Sequence, residues 1–226
     1  MEWTKNFKKA ITFSYDDGVE SDLRLLEILN KYNLKATFNV NTGLDEKSKS
    51  WVYKEFEVKR LNLARNIEAY KGHEIAVHTL THPGMCELTD AELEREVLGD
   101  KENIQKLFHQ NPVRMAYPYG AYSERVIEKL RDCGFLYARG VQSSHNFDVQ
   151  SELLAFQPTC HHDDEKLFEL AEHFLSMEAD KTQIFYIWGH SYEFDGNHNW
   201  DRLEEFCKLI SGKQDIFYGT NREVLI

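Results

Sequence analysis

An α/β fold of parallel βαβ units, either a doubly wound sheet or a barrel, is what this amino-acid sequence predicts, on three observations. Short β-branched runs alternate with segments of three-to-four-residue apolar spacing from one end of the chain to the other. No Pro, Gly or Ser tract is long enough to act as a linker, so residues 1–226 are expected to form one domain. Hydrophobic residues are 42% of the chain and aromatics 13%, which supplies the apolar surface of a real core and excludes a disordered chain.

Strands are expected at 10–15, 35–40, 74–77, 113–117, 135–138, 153–157, 183–188 and 215–218, each an apolar or β-branched run bounded by polar residues. After the first of them, Leu23, Leu26, Ile28 and Leu29 repeat at the spacing of an amphipathic helix. Val58, Leu61, Ala64 and Ile67 predict a second helix, and Leu93, Val97, Ile104 and Leu107 a third. Val126, Ile127 and Leu130 mark a fourth; Leu167, Leu170, Phe174 and Leu175 a fifth; Leu203, Phe206, Leu209 and Ile210 a sixth. The polar expansion at 43–60, after the second strand, reads as a loop or lid beside the strand ends.

The 38 acidic side chains outnumber the 27 basic ones, for a formal charge of −11, which repels phosphate backbones and anionic membranes and excludes nucleic acid as a partner. No stretch approaches the ~18–20 continuous apolar residues of a membrane helix, so no membrane insertion is expected. The apolar run after Lys8 and Lys9 is short and ends in two aspartates, unlike a signal peptide. Cys86, Cys133, Cys160 and Cys207 are widely spaced in a chain too long to depend on staples, which reads as reduced thiols and a cytoplasmic protein.

Parallel α/β folds collect ligands at the carboxyl ends of their strands, so the polar residues that follow each apolar run are the ones to inspect. Ser14-Tyr15-Asp16-Asp17-Gly18 closes the first strand with two carboxylates and a glycine; in isolation it would be a strand exit and helix cap. His78-Thr79-Leu80-Thr81-His82 follows the third strand and places two imidazoles four residues apart. Two His and one Asp leave a tetrahedral ion an open position for water, the arrangement of a catalytic site, and the chemistry indicated is metal-assisted hydrolysis. Tyr117-Pro118-Tyr119-Gly120 leaves the fourth strand as a turn, and Trp188-Gly189-His190-Ser191-Tyr192-Glu193 closes the most apolar strand. The run Cys160-His161-His162-Asp163-Asp164 could be a second metal site, but contiguous ligands rarely face one ion, and Asp163 or Asp164 as a helix cap is the favoured reading. His73, His109, His145, His173 and His198 lie in no motif and are expected at the surface or in loops.

In this order the motifs resemble those of the polysaccharide deacetylase family, also called the NodB-homology or carbohydrate esterase 4 family, over essentially the whole chain. The family's Thr-Phe-Asp-Asp-Gly is similar to residues 14–18, its His-(Ser/Thr)-x-x-His is matched by 78–82, its Arg-x-Pro-Tyr-Gly aligns with 116–120, and its late histidine aligns with His190. The resemblance implies a distorted (β/α)7-type barrel and a divalent ion, commonly Zn2+ with Co2+, Ni2+ or Mn2+ as alternatives, held by Asp17, His78 and His82. It also implies Asp16 as general base, His190 as general acid, and the main-chain amide of Tyr119 as a donor to the oxyanion, with Tyr117 and Trp188 on the substrate side. The residues agree with that division. An acceptor next in sequence to a metal ligand lies within reach of the attacking water, and imidazole, with an unperturbed pKa of ~6.5, is a usable acid near neutrality.

Two positions depart from the family pattern. The arginine that steadies the base is replaced by Ala116, leaving Arg114, one pleat back on the same strand face, and Arg139 as candidate donors. The Asp-Trp motif that tunes the acidic histidine has no match, since Asp148 lacks the following Trp, and Glu193 stands in as the candidate. The expected reaction removes an acyl group, acetyl first, from an amide nitrogen of a sugar or glycan, whether free, nucleotide-linked, lipid-linked or polymeric. Tyr119, Trp188, Tyr192, Trp200 and Trp51 are the aromatics available to stack on a pyranose. Hydrolysis of a non-sugar amide, removal of O-acetyl groups, and a catalytically silent carbohydrate-binding homologue are the alternatives.

Overall fold

The computed structural model describes residues 1–226. Strand β1 (Lys9–Asp17) is followed by α1 (Asp22–Lys31), β2 (Ala36–Val40), the hairpin strands β3 (Trp51–Tyr53) and β4 (Phe56–Val58), then β5 (Glu74–Val77). Next come α2 (Asp90–Phe108), β6 (Arg114–Ala116), α3 (Glu124–Asp132), β7 (Tyr137–Arg139), β8 (Cys160–His161) and α4 (Leu167–Ser176). The chain ends with β9 (Gln183–Gly189), α5 (Tyr192–Asn197), α6 (Trp200–Ile210), β10 (Ile216–Tyr218) and α7 (Asn221–Leu225).

Eight strands form one parallel sheet in the order β7-β6-β5-β2-β1-β9-β8, with β10 added beside β1. The sheet curls, and its seam is bridged by the segment before β8: Phe156 pairs with Arg139, and the Thr159 amide donates to the Tyr186 carbonyl. This is the α/β barrel class the sequence predicts. No helix is long and apolar enough to cross a membrane.

Side-chain alternation along β1 assigns each face. Ile11, Phe13 and Tyr15 point at the helices and join the main core of 42 buried residues, where Phe13 meets Phe206 of α6 edge-on. Thr12, Ser14 and Asp16 point into the barrel, where each is hydrogen-bonded: Thr12 and Ser14 accept from Asn221 and Asn39, and Asp16 accepts from Asn39. Trp3 and α7 plug the floor, the indole donating to the Val224 carbonyl at 3.0 Å.

The structure corrects four sequence expectations. The run 153–157 is not a strand: Leu153–Ala155 is a 3-10 turn whose Leu154 amide is capped by Glu152, Phe156 makes a single bridge to Arg139, and the continuous strand starts only after Pro158, which has no N–H to give. The helix expected across 58–67 is two 3-10 turns, Leu63–Arg65 and Ile67–Tyr70, because Asn62 accepts from the Arg65 amide and Asn66 donates back to the Asn62 carbonyl, in competition with the helical ladder. The 43–60 expansion holds the β3–β4 hairpin, whose Trp51 and Tyr53 pack on Tyr192. Finally, His73 is buried, accepting the Ala36 amide at Nδ1 and facing Asn30 with Nε2 at 3.1 Å.

Burial holds His73 near a pKa of about 4, below its ordinary value. The folded state therefore binds this proton less readily than the unfolded chain, and stability must fall as pH drops from 6.5 towards 4. We expect His73→Gln to remove a part of that pH dependence on the order of 1–3 kcal/mol, read as the difference in urea unfolding between pH 7 and pH 5. An unchanged difference would mean that the imidazole is not the group being charged.

Candidate active site

The two carboxylates at the end of β1 diverge because the backbone turns there. Asp16 keeps strand geometry and points into the barrel, whereas Asp17 has φ +87, a left-handed conformation rare for a non-glycine residue. Thr79, His82 and Tyr119 also have positive φ, and His82 and Tyr119 line the same cavity of about 560 Å³ as Asp17. Asp16, Asp17, His78, His82, Tyr119 and His190 all line it.

Asp16 is 2% exposed, and Arg139 holds it: Nη2 donates to both carboxylate oxygens at 2.5 and 2.6 Å. Burial alone would raise the Asp16 pKa, but the charge and hydrogen bonds of Arg139, together with nearby His78 and His190, outweigh it and the carboxyl stays below its usual range. Arg139 is itself fixed through Nε to Ser14, Nη1 to the Gly140 carbonyl, and its face against Trp188 at 4.6 Å. In register, Arg139 of β7 lies directly beside Ala116 of β6. The guanidinium therefore enters from the strand adjacent to the one the motif occupies, over a small side chain. Arg114 does not serve the site. It lies on the barrel floor, paired with Glu74, because stepping back two residues moves a side chain one full pleat away from the strand end.

Asp17 Oδ1 lies 3.8 Å from His78 Nε2 and 3.6 Å from His82 Nε2, and the three donor atoms are within 4.8 Å of one another. His78 Nδ1 is 2.8 Å from the Ala116 carbonyl, which can only accept; Nδ1 therefore carries the proton, and the Nε2 lone pair faces Asp17. Burial lowers the pKa of both imidazoles, His82 to about 4, so both are neutral at pH 7. One carboxylate and two neutral imidazoles with converging lone pairs fit a divalent ion of the zinc type. Asp100, buried in α2, accepts from Thr42 and from the His78 amide at 3.0 Å, which pins this loop to the end of β2.

His161, His190 and Glu193 form a second close group, with different chemistry. His161 Nδ1 accepts from the Asp163 amide at 3.1 Å, so in the neutral ring the proton is on Nε2, which donates to Glu193 at 3.0 Å. His161 therefore has no lone pair free there for an ion. Glu193 also accepts from the His190 amide at 3.0 Å and faces His190 Nδ1 at 3.4 Å, leaving Nε2 towards Asp17 Oδ2 at 4.0 Å. Burial by itself would lower the His190 pKa, but Glu193, joined by the charges of Asp17 and Asp16, raises it to about 9. Asp163 does not cap a helix; it accepts from Asn197 and Asn199.

The aromatic candidates divide. Tyr119 is 71% exposed at the cavity mouth, its ring 4.6 Å from His82, and Gly120 behind it has φ +69 and no room for a Cβ against Val141. Trp188, Trp51 and Tyr192 line the cavity. Tyr117 also lines it, although its hydroxyl is committed to the Leu154 carbonyl at 2.7 Å. Trp200 is not at the site; its indole donates to Asp195 at 2.8 Å. Asp148 pairs with Lys181 and Gln183 away from the cavity. Three residues escaped the sequence analysis: Asn39 and Asn41 at the end of β2, and Arg60, which donates to Asp17 and Asn41. The asparagines at positions 39 and 41 alternate at a strand end, a usable signal; Arg60 follows the insertion with no motif around it.

Fold and site together put the chain among the (β/α)-barrel deacetylase folds. It belongs to the polysaccharide deacetylase family, whose description, "Polysaccharide deacetylase", matches residues 4–138. It is 24% identical to the peptidoglycan-N-acetylglucosamine deacetylase of Bacillus cereus over 57% of this chain and 43% of that one. It is 28% identical to the chitooligosaccharide deacetylase of a Bradyrhizobium species over 56% and 53%. The chain thus spans about half the length of these curated relatives. The fold superposes on a polysaccharide deacetylase candidate from Mycobacterium smegmatis with TM-score 0.65 and 18% identity, over 100% of this chain and 91% of the other.

Removing Arg139 leaves a buried carboxylate unpaired, which costs about 3–5 kcal/mol. Arg139→Ala should lose stability on that scale in chemical denaturation, and Ala116→Arg in the same background should recover a measurable part. Absence of any recovery would mean that the two register positions are not interchangeable.

Proposed function

We propose that the protein is a metal-dependent hydrolase that removes an acetyl group from the amide nitrogen of an N-acetylated sugar or glycan. The observation that carries this reading is one cavity that holds an ion-binding trio, an ionised carboxylate and a cationic imidazole together. Family membership and the printed activities of the relatives support the sugar and the acetyl group.

Asp17, His78 and His82 would hold the ion, Zn2+ first, with Co2+, Ni2+ or Mn2+ as alternatives. Bound there, it supplies Lewis acidity to the acyl oxygen and to water. Asp16, kept ionised by Arg139 and oriented by Asn39, accepts the proton that water loses as it attacks the carbonyl. His190, kept charged by Glu193, delivers a proton from Nε2 to the departing amine. The Tyr119 amide is a donor for the oxyanion, and Tyr119, Trp51 and Trp188 offer ring faces to the sugar. A silent homologue is disfavoured, because the missing motif arginine has a replacement and both proton-transfer groups are present.

Metal-reconstituted protein should release acetate from N-acetylglucosamine oligomers, whereas His78→Ala and His82→Ala should each lose most bound metal by elemental analysis, three ligands leaving no redundancy. Full metal content in both variants would overturn the ligand assignment. His190→Ala should slow amide hydrolysis on the order of 10²–10⁴-fold and activated aryl esters much less, since a phenolate leaves without a proton. Glu193→Gln should show the same selectivity with a smaller loss. Equal damage to both substrate types would make His190 a packing or oxyanion residue.

A further inference from the structure

Arg60 reaches the cavity from the segment after β4, where its backbone bridges to Val19 and the Leu61 amide donates to the Gly18 carbonyl at 2.9 Å. The side chain is buried, yet only one nitrogen of its guanidinium has protein partners: Nη1 donates to the Asp17 carbonyl, to Asp17 Oδ1 at 3.2 Å and to Asn41 Oδ1 at 2.7 Å. The guanidinium lies over Trp51 at 4.8 Å, and Arg60 is part of the cavity wall. Its Nε hydrogen and both Nη2 hydrogens have no acceptor in the protein. These donors keep contact with solvent at the cavity wall, where two parallel N–H groups match a carboxylate or phosphate edge.

The charge balance of the cavity points the same way. Asp16 is matched by Arg139 and Asp17 by Arg60. A divalent ion on Asp17 then adds positive charge that no remaining side chain of the cavity wall offsets. Were Arg60 only the counter-ion of Asp17, it would compete with that ion for the carboxylate; with an anion on its free edge, both cations are satisfied. We infer that Arg60 receives an anionic group, a carboxylate or a phosphate, borne by the N-acylated sugar substrate. This rests on the deacetylase reading and specifies its substrate class: acidic N-acetyl sugars ahead of neutral ones.

Calorimetric titration of the zinc-loaded protein with N-acetylglucosamine, N-acetylmuramic acid and N-acetylglucosamine 6-phosphate tests it. At least one of the two acidic sugars should bind about tenfold more tightly than the neutral one, equivalent to about 1.4 kcal/mol, and which of them does so names the group. Arg60→Gln should abolish that difference, lowering the affinity for the acidic sugar at least about tenfold more than for N-acetylglucosamine, and Arg60→Lys should retain part of it. Equal affinity of the wild type for all three sugars, a comparison that needs no variant to fold, would overturn the proposal. So would a loss in Arg60→Gln that is equal for neutral and acidic sugars, the mark of a scaffold or oxyanion role. Acetate release from the same sugars is scored separately. Release without anion preference refutes only the role of Arg60, whereas anion-selective binding lost in Arg60→Gln, with no acetate released from any sugar, refutes only the deacetylation.

Discussion

The buried pair of Asp16 and Arg139 is the constraint on which the rest of the site depends. A carboxylate at 2% exposure would take up a proton and cease to be a base if nothing opposed burial. Arg139, fully buried, opposes it, but only because its own fork is held on three sides by Ser14, the Gly140 carbonyl and the Trp188 ring. These holding groups come from β1, the chain after β7, and β9, so the ionised state of one side chain requires the sheet to curl until β7 faces β1 across the barrel. The bridge from Arg139 to Phe156 at the seam is part of that requirement. Barrel closure and the ionised state of Asp16 are thus one structural problem.

Histidine tautomers set the next level of organisation. Two groups of three donors in this molecule meet the same proximity criterion, and distance alone would make both of them ion sites. What separates them is the partner on the far nitrogen. A carbonyl behind His78 fixes the proton on Nδ1 and turns a lone pair into the cavity, whereas an amide behind His161 fixes the proton on Nε2 and turns a donor towards Glu193. One arrangement suits a cation, and the other suits a carboxylate that stays ionised beside His190. Both partners are main-chain atoms, so the chemistry of each imidazole is a product of local backbone course.

Much of this was legible in the sequence. The alternation of short apolar runs and amphipathic segments gave the parallel α/β class, and the Asp-Asp-Gly and His-x-x-x-His junctions gave the strand ends that meet. What could not be read were features set by competition or by register. Asn62 and Asn66 carry side chains that outcompete a helix despite correct apolar spacing, and Pro158 delays a strand despite an apolar run before it. Arg139 could be suspected as a donor but not preferred over Arg114, because only the pairing of β6 with β7 reveals that position 139 stands beside position 116. Arg60 has no sequence signal, since its place follows from the fold of an insertion.

The two departures from the family pattern share a physical logic. A barrel wall presents neighbouring strands at the same height, so a charged group can move from one strand to its register partner and arrive at the same buried carboxylate. The shift from position 116 to 139 is of that kind, and Glu193, one helical turn beyond His190, is the local equivalent for a partner that a distant loop would otherwise supply. Both replacements lie beyond residue 138, where the family match ends. The N-terminal part thus carries Asp17, His78 and His82, proposed to hold the ion, and Asp16, the proposed base, and the C-terminal part carries Arg139 and Glu193, which pair with Asp16 and His190. The proposed proton transfers therefore turn on Arg139, His190 and Glu193, all of which lie beyond the residues that the family description matches.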